Sequence, residues 1–165
     1  MKNRAKRISL LGVYIALAMV LAYIEILIPP LFPAVPGIKM GLPNIVIVFL
    51  LYRRGPVCAA TVSILRVLLV SMLFGNGMAL MYSLAGSVLS LLLMILLRRL
   101  NFLSAVGVSV AGAVAHNVGQ ILMAMLLLET AELGYYLVVL ILTGTLSGIL
   151  IGLCGATLIR RIPKK

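Results

Sequence analysis

Four polar side chains stand inside long apolar runs that offer them no water. Arg66 lies in the middle of the run 57–74, and His116, Asn117 and Gln120 fall within five residues of one another in the run 102–128. An arginine is always charged, and its planar fork of donors grips a carboxylate or phosphate through two bonds. His116 and Gln120 are one helical turn apart on the same face, with Asn117 about 100° round. Lys39 and Asn44, at the start of the second segment, add a cation and an amide nearer the outer mouth. This set is positive on balance and suits a small organic anion, or a molecule with an anionic end and an apolar body. The competing reading is structural: Arg66 pairs with Glu25, or caps the carbonyls of a broken helix, and so pins the bundle.

Other chemistries lack their residues. The chain has no aspartate, and its three glutamates, Glu25, Glu129 and Glu132, are too dispersed for the magnesium that ionises an allylic diphosphate. No GxxxxGKS/T run is present to cradle nucleotide phosphates. One histidine without a neighbouring carboxylate makes neither a catalytic triad nor a zinc site. Cys58 and Cys154 form no CxxC pair and lie in apolar runs, where they read as small buried hydrophobes. The expectation is a protein that is not an enzyme and that carries no metal and no cofactor.

The elements that must position the polar set follow from composition. The 165 residues are 64% hydrophobic and 10% charged, with a mean hydropathy of +1.26, far more apolar surface than one small core can hide. That describes an integral membrane protein in the lipid bilayer. A net charge of +11 would also fit nucleic-acid binding, but the positive charges fall in short clusters at segment ends, which argues for topology and against nucleic acid. The clusters are Lys2, Arg4, Lys6 and Arg7; Arg53 and Arg54; Arg98 and Arg99; and Arg160, Arg161, Lys164 and Lys165. If each interval is one helical hairpin, the fold is all-α, a single membrane domain over 1–165 with six transmembrane helices near 9–28, 39–52, 57–74, 78–97, 102–128 and 133–159. Both termini then lie on the cytoplasmic side of a bacterial plasma membrane. The first run follows a basic head but is longer than a signal-peptide core. Only Lys39 and Arg66 depart from the clustering.

Residues 29–44 are too rich in proline for a continuous helix and too apolar for a solvated loop, which predicts a re-entrant segment. The apolar run 42–52 is about 16 Å long as a helix, about half a bilayer core. The second helix therefore starts near Lys39 or is a half-helix beside a cavity. Small residues recur in steps of four at Gly12 and Ala16, at Ala18 and Ala22, at Gly107, Ala111, Ala115 and Gly119, and at Gly144, Gly148, Gly152 and Ala156. Such steps allow close helix approach, within the bundle or against a partner.

Four stretches carry a resemblance: PGIKMGLPNIV at 36–46, LRVL at 65–68, YSLAG at 82–86 and AGAVAHNVGQ at 111–120. Together they resemble the Gx transporter family, often labelled heptaprenyl diphosphate synthase component I. Pro43 stands where that pattern has a small residue such as alanine. The family in turn resembles the substrate-binding S components of energy-coupling factor transporters, six-helix bundles that capture vitamins or related nutrients. The resemblance implies a transmembrane T subunit and cytoplasmic ATPase subunits as partners, with Ala18 and Ala22 similar to the motif that docks on the T subunit. The expected role is a capture subunit whose pocket is lined by Lys39, Asn44, Arg66, His116, Asn117 and Gln120. Two rivals stand beside it: a non-catalytic membrane subunit of a polyprenyl diphosphate synthase, and a proton-driven carrier that titrates His116.

Overall fold

The structure, a computed structural model, describes residues 2–27 and 41–162. Lys39 and most of the proline-rich segment fall outside the described residues. Among those described there are six α-helices and no strand: α1 Lys2–Leu27, α2 Asn44–Arg53, α3 Pro56–Phe74, α4 Gly77–Leu100, α5 Ala105–Leu128 and α6 Tyr136–Arg161. A 3-10 turn, Ala131–Tyr135, precedes α6. Five of the helices are long and apolar enough to cross a membrane, and α2 is the short one.

Local chemistry sets the boundaries. Arg54 and Gly55 both donate their amides to the Leu50 carbonyl, Gly55 takes φ +98, and Pro56 opens α3 where a missing N–H costs nothing. The Asn76 side chain accepts from the Ala79 amide at 2.8 Å to cap α4, and Ser104 caps α5 through Gly107. Asn101 and Glu129 close α4 and α5 in the left-handed region. Connections this short force α2 with α3, and α3 with α4, into antiparallel hairpins.

Three contacts gather the basic clusters at one end. The Arg98 guanidinium carbon lies 5.3 Å from the centre of the Tyr52 ring, joining the ends of α4 and α2. Arg53 donates to the Ile159 carbonyl, joining α2 to α6. Leu10, Leu11 and Tyr14 of α1 share a groove with Arg54 and the start of α3. At the opposite end the Tyr23 and Phe74 rings meet at 5.3 Å.

The long helices form a wall. α5 packs extensively on α4 and α6, α3 on α4, and α1 on α3, while α2 touches α6, α3 and α1. Helix seams use glycine where backbones nearly touch. A Cβ on Gly148 would sit 2.7 Å from the Val110 Cα, and one on Gly152 would sit 2.8 Å from the Val106 Cα, so the α6 glycine stripe is the α5–α6 seam. α2 is buried all round: Val46, Ile47, Val48, Phe49, Leu50 and Leu51 are consecutive core residues. The outward faces of the long helices carry exposed leucine, isoleucine and valine, the surface a lipid solvent demands. Cys154 is exposed on such a face and Cys58 is half-buried, whereas the sequence suggested that both were buried.

This packing also orients the small-residue steps of α1. Ala18 and Ala22, expected as a docking face on α1, are 0% and 5% exposed and turn into the bundle. The reason is positional. A four-residue step marks a face that packs closely, and here the face packs on the protein's own core. Gly12 and Ala16 are exposed instead.

Candidate functional site

Because α2 has only ten residues, it is about 15 Å long. It fills the interior from the basic end to mid-bundle and stops. Above its first residue the same ring of helices encloses a cavity of about 60 Å³, room for roughly four waters if each takes about 15 Å³. Arg66, ten residues into α3, comes to the same level as the start of α2, since both elements rise about 1.5 Å per residue from the basic end.

Every long helix contributes to the lining. Glu25 and Ala22 come from α1, Asn44 from α2, Arg66 and Ser71 from α3, Ser83 from α4, His116, Asn117 and Gln120 from α5, and Ser147 from α6. Val67, Val70, Ile26 and Ala113 supply an aliphatic wall. Of the side chains singled out in the sequence, Asn44, Arg66, His116, Asn117 and Gln120 are thus brought together, and Lys39 falls outside the described residues.

Their individual settings differ. The Nε of Arg66 is buried and has no hydrogen-bond partner among the described residues, although the residue as a whole is partly accessible through the cavity. Glu25 acts on the Arg66 charge electrostatically, and its carboxylate also accepts the Gly41 amide, tying the turn before α2 to α1. That turn holds Gly41 at φ +76, a conformation glycine takes without penalty. The first amides of α2 are already spent on the carbonyls of Gly41, Leu42 and Pro43. The α2 N-terminus therefore offers the cavity its dipole field and few free donors.

Asn117 has less freedom than its spacing suggested. Its amide donates to the Leu140 carbonyl at 2.7 Å across the α5–α6 seam, and a Cβ on Gly144 would fall 2.7 Å from the same nitrogen. His116 and Gln120 lean on α4 at Gly86. A methyl there would stand 2.7 Å from the His116 carbonyl oxygen, 2.8 Å from the Gln120 Cγ and 3.0 Å from the His116 Nδ1. Gly119 faces the same crossing, where an added Cβ would stand 2.8 Å from the Gly86 Cα. The two glycines let α4 and α5 close on each other and seat the histidine and glutamine beside the cavity.

Ser71, Ser83 and Ser147 were not singled out as ligand-facing by the sequence. Ser71 follows Arg66 by five residues and shares its face with Val67 and Val70, which is the signal that would have found it. Of the three α4 serines, Ser83, Ser87 and Ser90, only Ser83 reaches the cavity, while Ser87 and Ser90 are buried elsewhere along the helix.

The cavity is thus mixed: an arginine whose Nε lacks a partner among the described residues shares it with the Glu25 carboxylate, three side-chain amides, a histidine and three hydroxyls, in a lining that also has aliphatic side chains. The family model for heptaprenyl diphosphate synthase component I matches residues 14–158, which takes in all five of the grouped residues. The chain belongs to that family. Its description names a component, a part of a larger assembly, and the apolar helices place that component in a membrane. No curated protein and no solved structure matches the chain.

Proposed function

We propose that this member of the component I family is a membrane-embedded capture subunit, of the kind that S components represent, for a small organic anion or a nutrient with an anionic end and an apolar body. The observation that carries the reading is the buried Arg66 Nε, without a partner among the described residues, in a cavity that also holds His116, Gln120 and Asn44. A buried donor left unmade is costly, and a ligand carboxylate or phosphate satisfies it with a charge-assisted bond. Arg66 holds the anion, His116 and Gln120 orient it, and Asn44 borders it from the top of α2. Lys39 belongs to the same reading as an attractor at the mouth. Val67, Val70 and Ile26 border the same space, which at about 60 Å³ has room for the anionic group and must widen to take an apolar body.

On this reading the basic end is cytoplasmic, both termini lie there, the five long helices cross a bacterial plasma membrane, and α2 lies inside their bundle on the cytoplasmic half. The chain has no nucleotide-binding loop, so a transmembrane partner and cytoplasmic ATPase subunits drive transport. A membrane partner meets α1 on its exposed face, where Gly12 and Ala16 leave room for close approach.

The family description favours a second reading, a non-catalytic membrane subunit of a heptaprenyl diphosphate synthase. The chain brings no aspartate to such chemistry, so catalysis would belong to an aspartate-rich partner. Affinity purification from the native membrane separates the two. ATPase subunits with ATP-dependent uptake support capture, whereas a tightly bound synthase chain, with loss of long-chain prenyl product on deletion, overturns it.

A further inference from the structure

A second concavity lies at the basic end, away from the Arg66 cavity. It is a groove of about 400 Å³ between α1 and α3, lined by Leu10, Leu11 and Tyr14 on one side and Val57, Cys58 and Thr61 on the other, with Arg54 at its rim. Its volume is in the range of ligand pockets, roughly 300–1,000 Å³. Both helices present residues at i, i+1 and i+4, so each gives one continuous face. The Thr61 hydroxyl is committed to the Val57 carbonyl at 3.0 Å. Tyr14 in turn packs on Phe49 of α2, with ring centres 6.3 Å apart.

The electrostatics of this end are one-sided. Arg53, Arg54, Arg98, Arg99, Arg160 and Arg161 all close helices there. All three of the chain's acidic side chains belong elsewhere: Glu25 bonds Gly41 at the opposite end, and Glu129 and Glu132 follow α5. Lys6, one turn before Leu10 on α1, is exposed on the same approach. Arg54 therefore faces the groove with no side-chain carboxylate of this chain to neutralise it. Apolar walls topped by unopposed cations call for a long aliphatic tail with a negative head.

We infer that the α1–α3 groove is a binding site for an anionic phospholipid, its acyl chain along Leu10, Leu11 and Val57 and its headgroup phosphate on Arg54. Basic pockets between membrane helices recognise anionic headgroups through this combination. The site is independent of the ligand proposed for the Arg66 cavity.

Native mass spectrometry of the purified chain, titrated with phosphatidylglycerol or phosphatidylcholine in mixed micelles, tests it. Phosphatidylglycerol should bind in preference, and Arg54→Gln should lower its occupancy about fivefold. Arg99→Gln, which removes an exposed charge at the same end but outside the groove, should change occupancy by less than about twofold. Val57→Trp, on a side chain that is 79% exposed, should fill the groove and reduce binding without unfolding the chain, as size-exclusion profiles will show. Equal losses in Arg54→Gln and Arg99→Gln would reduce the effect to the general charge of that face and overturn the site. Equal binding of phosphatidylcholine, full retention in Arg54→Gln, or binding of a helical partner with neither lipid would overturn it too.

Discussion

At the basic end the interior of the bundle is occupied by α2, whose six consecutive buried residues leave no polar group in the space. At the opposite end the same ring of helices closes around Arg66, His116, Gln120 and three serines, with no helix of the described residues between them. The two halves share walls and differ in one element that stops at mid-depth. A half-length helix thus decides where the cavity lies, and the polar side chains are those at the levels α2 does not reach. Packing is accordingly divided: consecutive apolar residues of α2 hold the filled half together, and polar side chains line the hollow half, although buried atoms without a partner among the described residues occur at Arg53 Nε and Ser87 Oγ as well as at Arg66 Nε.

The sharpest test of that division is at the filled end. Leu50→Ala, at a fully enclosed position of α2, should cost about 2–5 kcal/mol through lost burial and an unfilled cavity. Denaturant or thermal unfolding in detergent will show it. Arg66→Leu should do the opposite. Ligand affinity should fall about ten- to a hundredfold with the loss of a charge-assisted bond, while thermal stability holds or rises, since an incompletely paired interior charge is replaced by a hydrophobe. A large destabilisation by Arg66→Leu would return the residue to a purely structural role. Gly86→Ala probes the wall between the halves: its methyl must displace the His116 carbonyl, at a cost of about 1–3 kcal/mol. Affinity should suffer along with stability, because His116 and Gln120 move. The smallest effect is expected at the basic rim, where Tyr52→Leu removes a cation–π contact with Arg98 worth about 0.5–1 kcal/mol and should leave affinity unchanged.

Much of this was legible in the residues, for physical reasons. Long apolar runs must be helices in a bilayer, and the glycine, proline, asparagine and serine punctuation marks where α3, α4 and α5 begin. The short run before Arg53 left two readings, a helix from near Lys39 or a half-helix, and α2 starts at Asn44. Polar side chains inside apolar helices avoid lipid, which is why Asn44, Arg66, His116, Asn117 and Gln120 converge. Direction was harder to read. The Ala18–Ala22 and Gly12–Ala16 steps look alike on paper, and only packing shows that the first faces the core and the second does not. Asn117 looked free because its partner, the Leu140 carbonyl, belongs to a backbone that spacing cannot place. Ser71 and Ser147 were passed over because a serine in an apolar helix can satisfy its own backbone, as Ser147 does through the Gly144 carbonyl.

The central claim is that the hollow half holds an anion through Arg66. Chain purified from its native membrane without added ligand, alongside Arg66→Gln purified in parallel, can be denatured and the released small molecules identified by mass spectrometry. The account predicts a carboxylate- or phosphate-bearing molecule released by the native chain in near-stoichiometric amount and depleted about tenfold or more from Arg66→Gln. An equal yield from both proteins, or a neutral molecule in that amount, would contradict it.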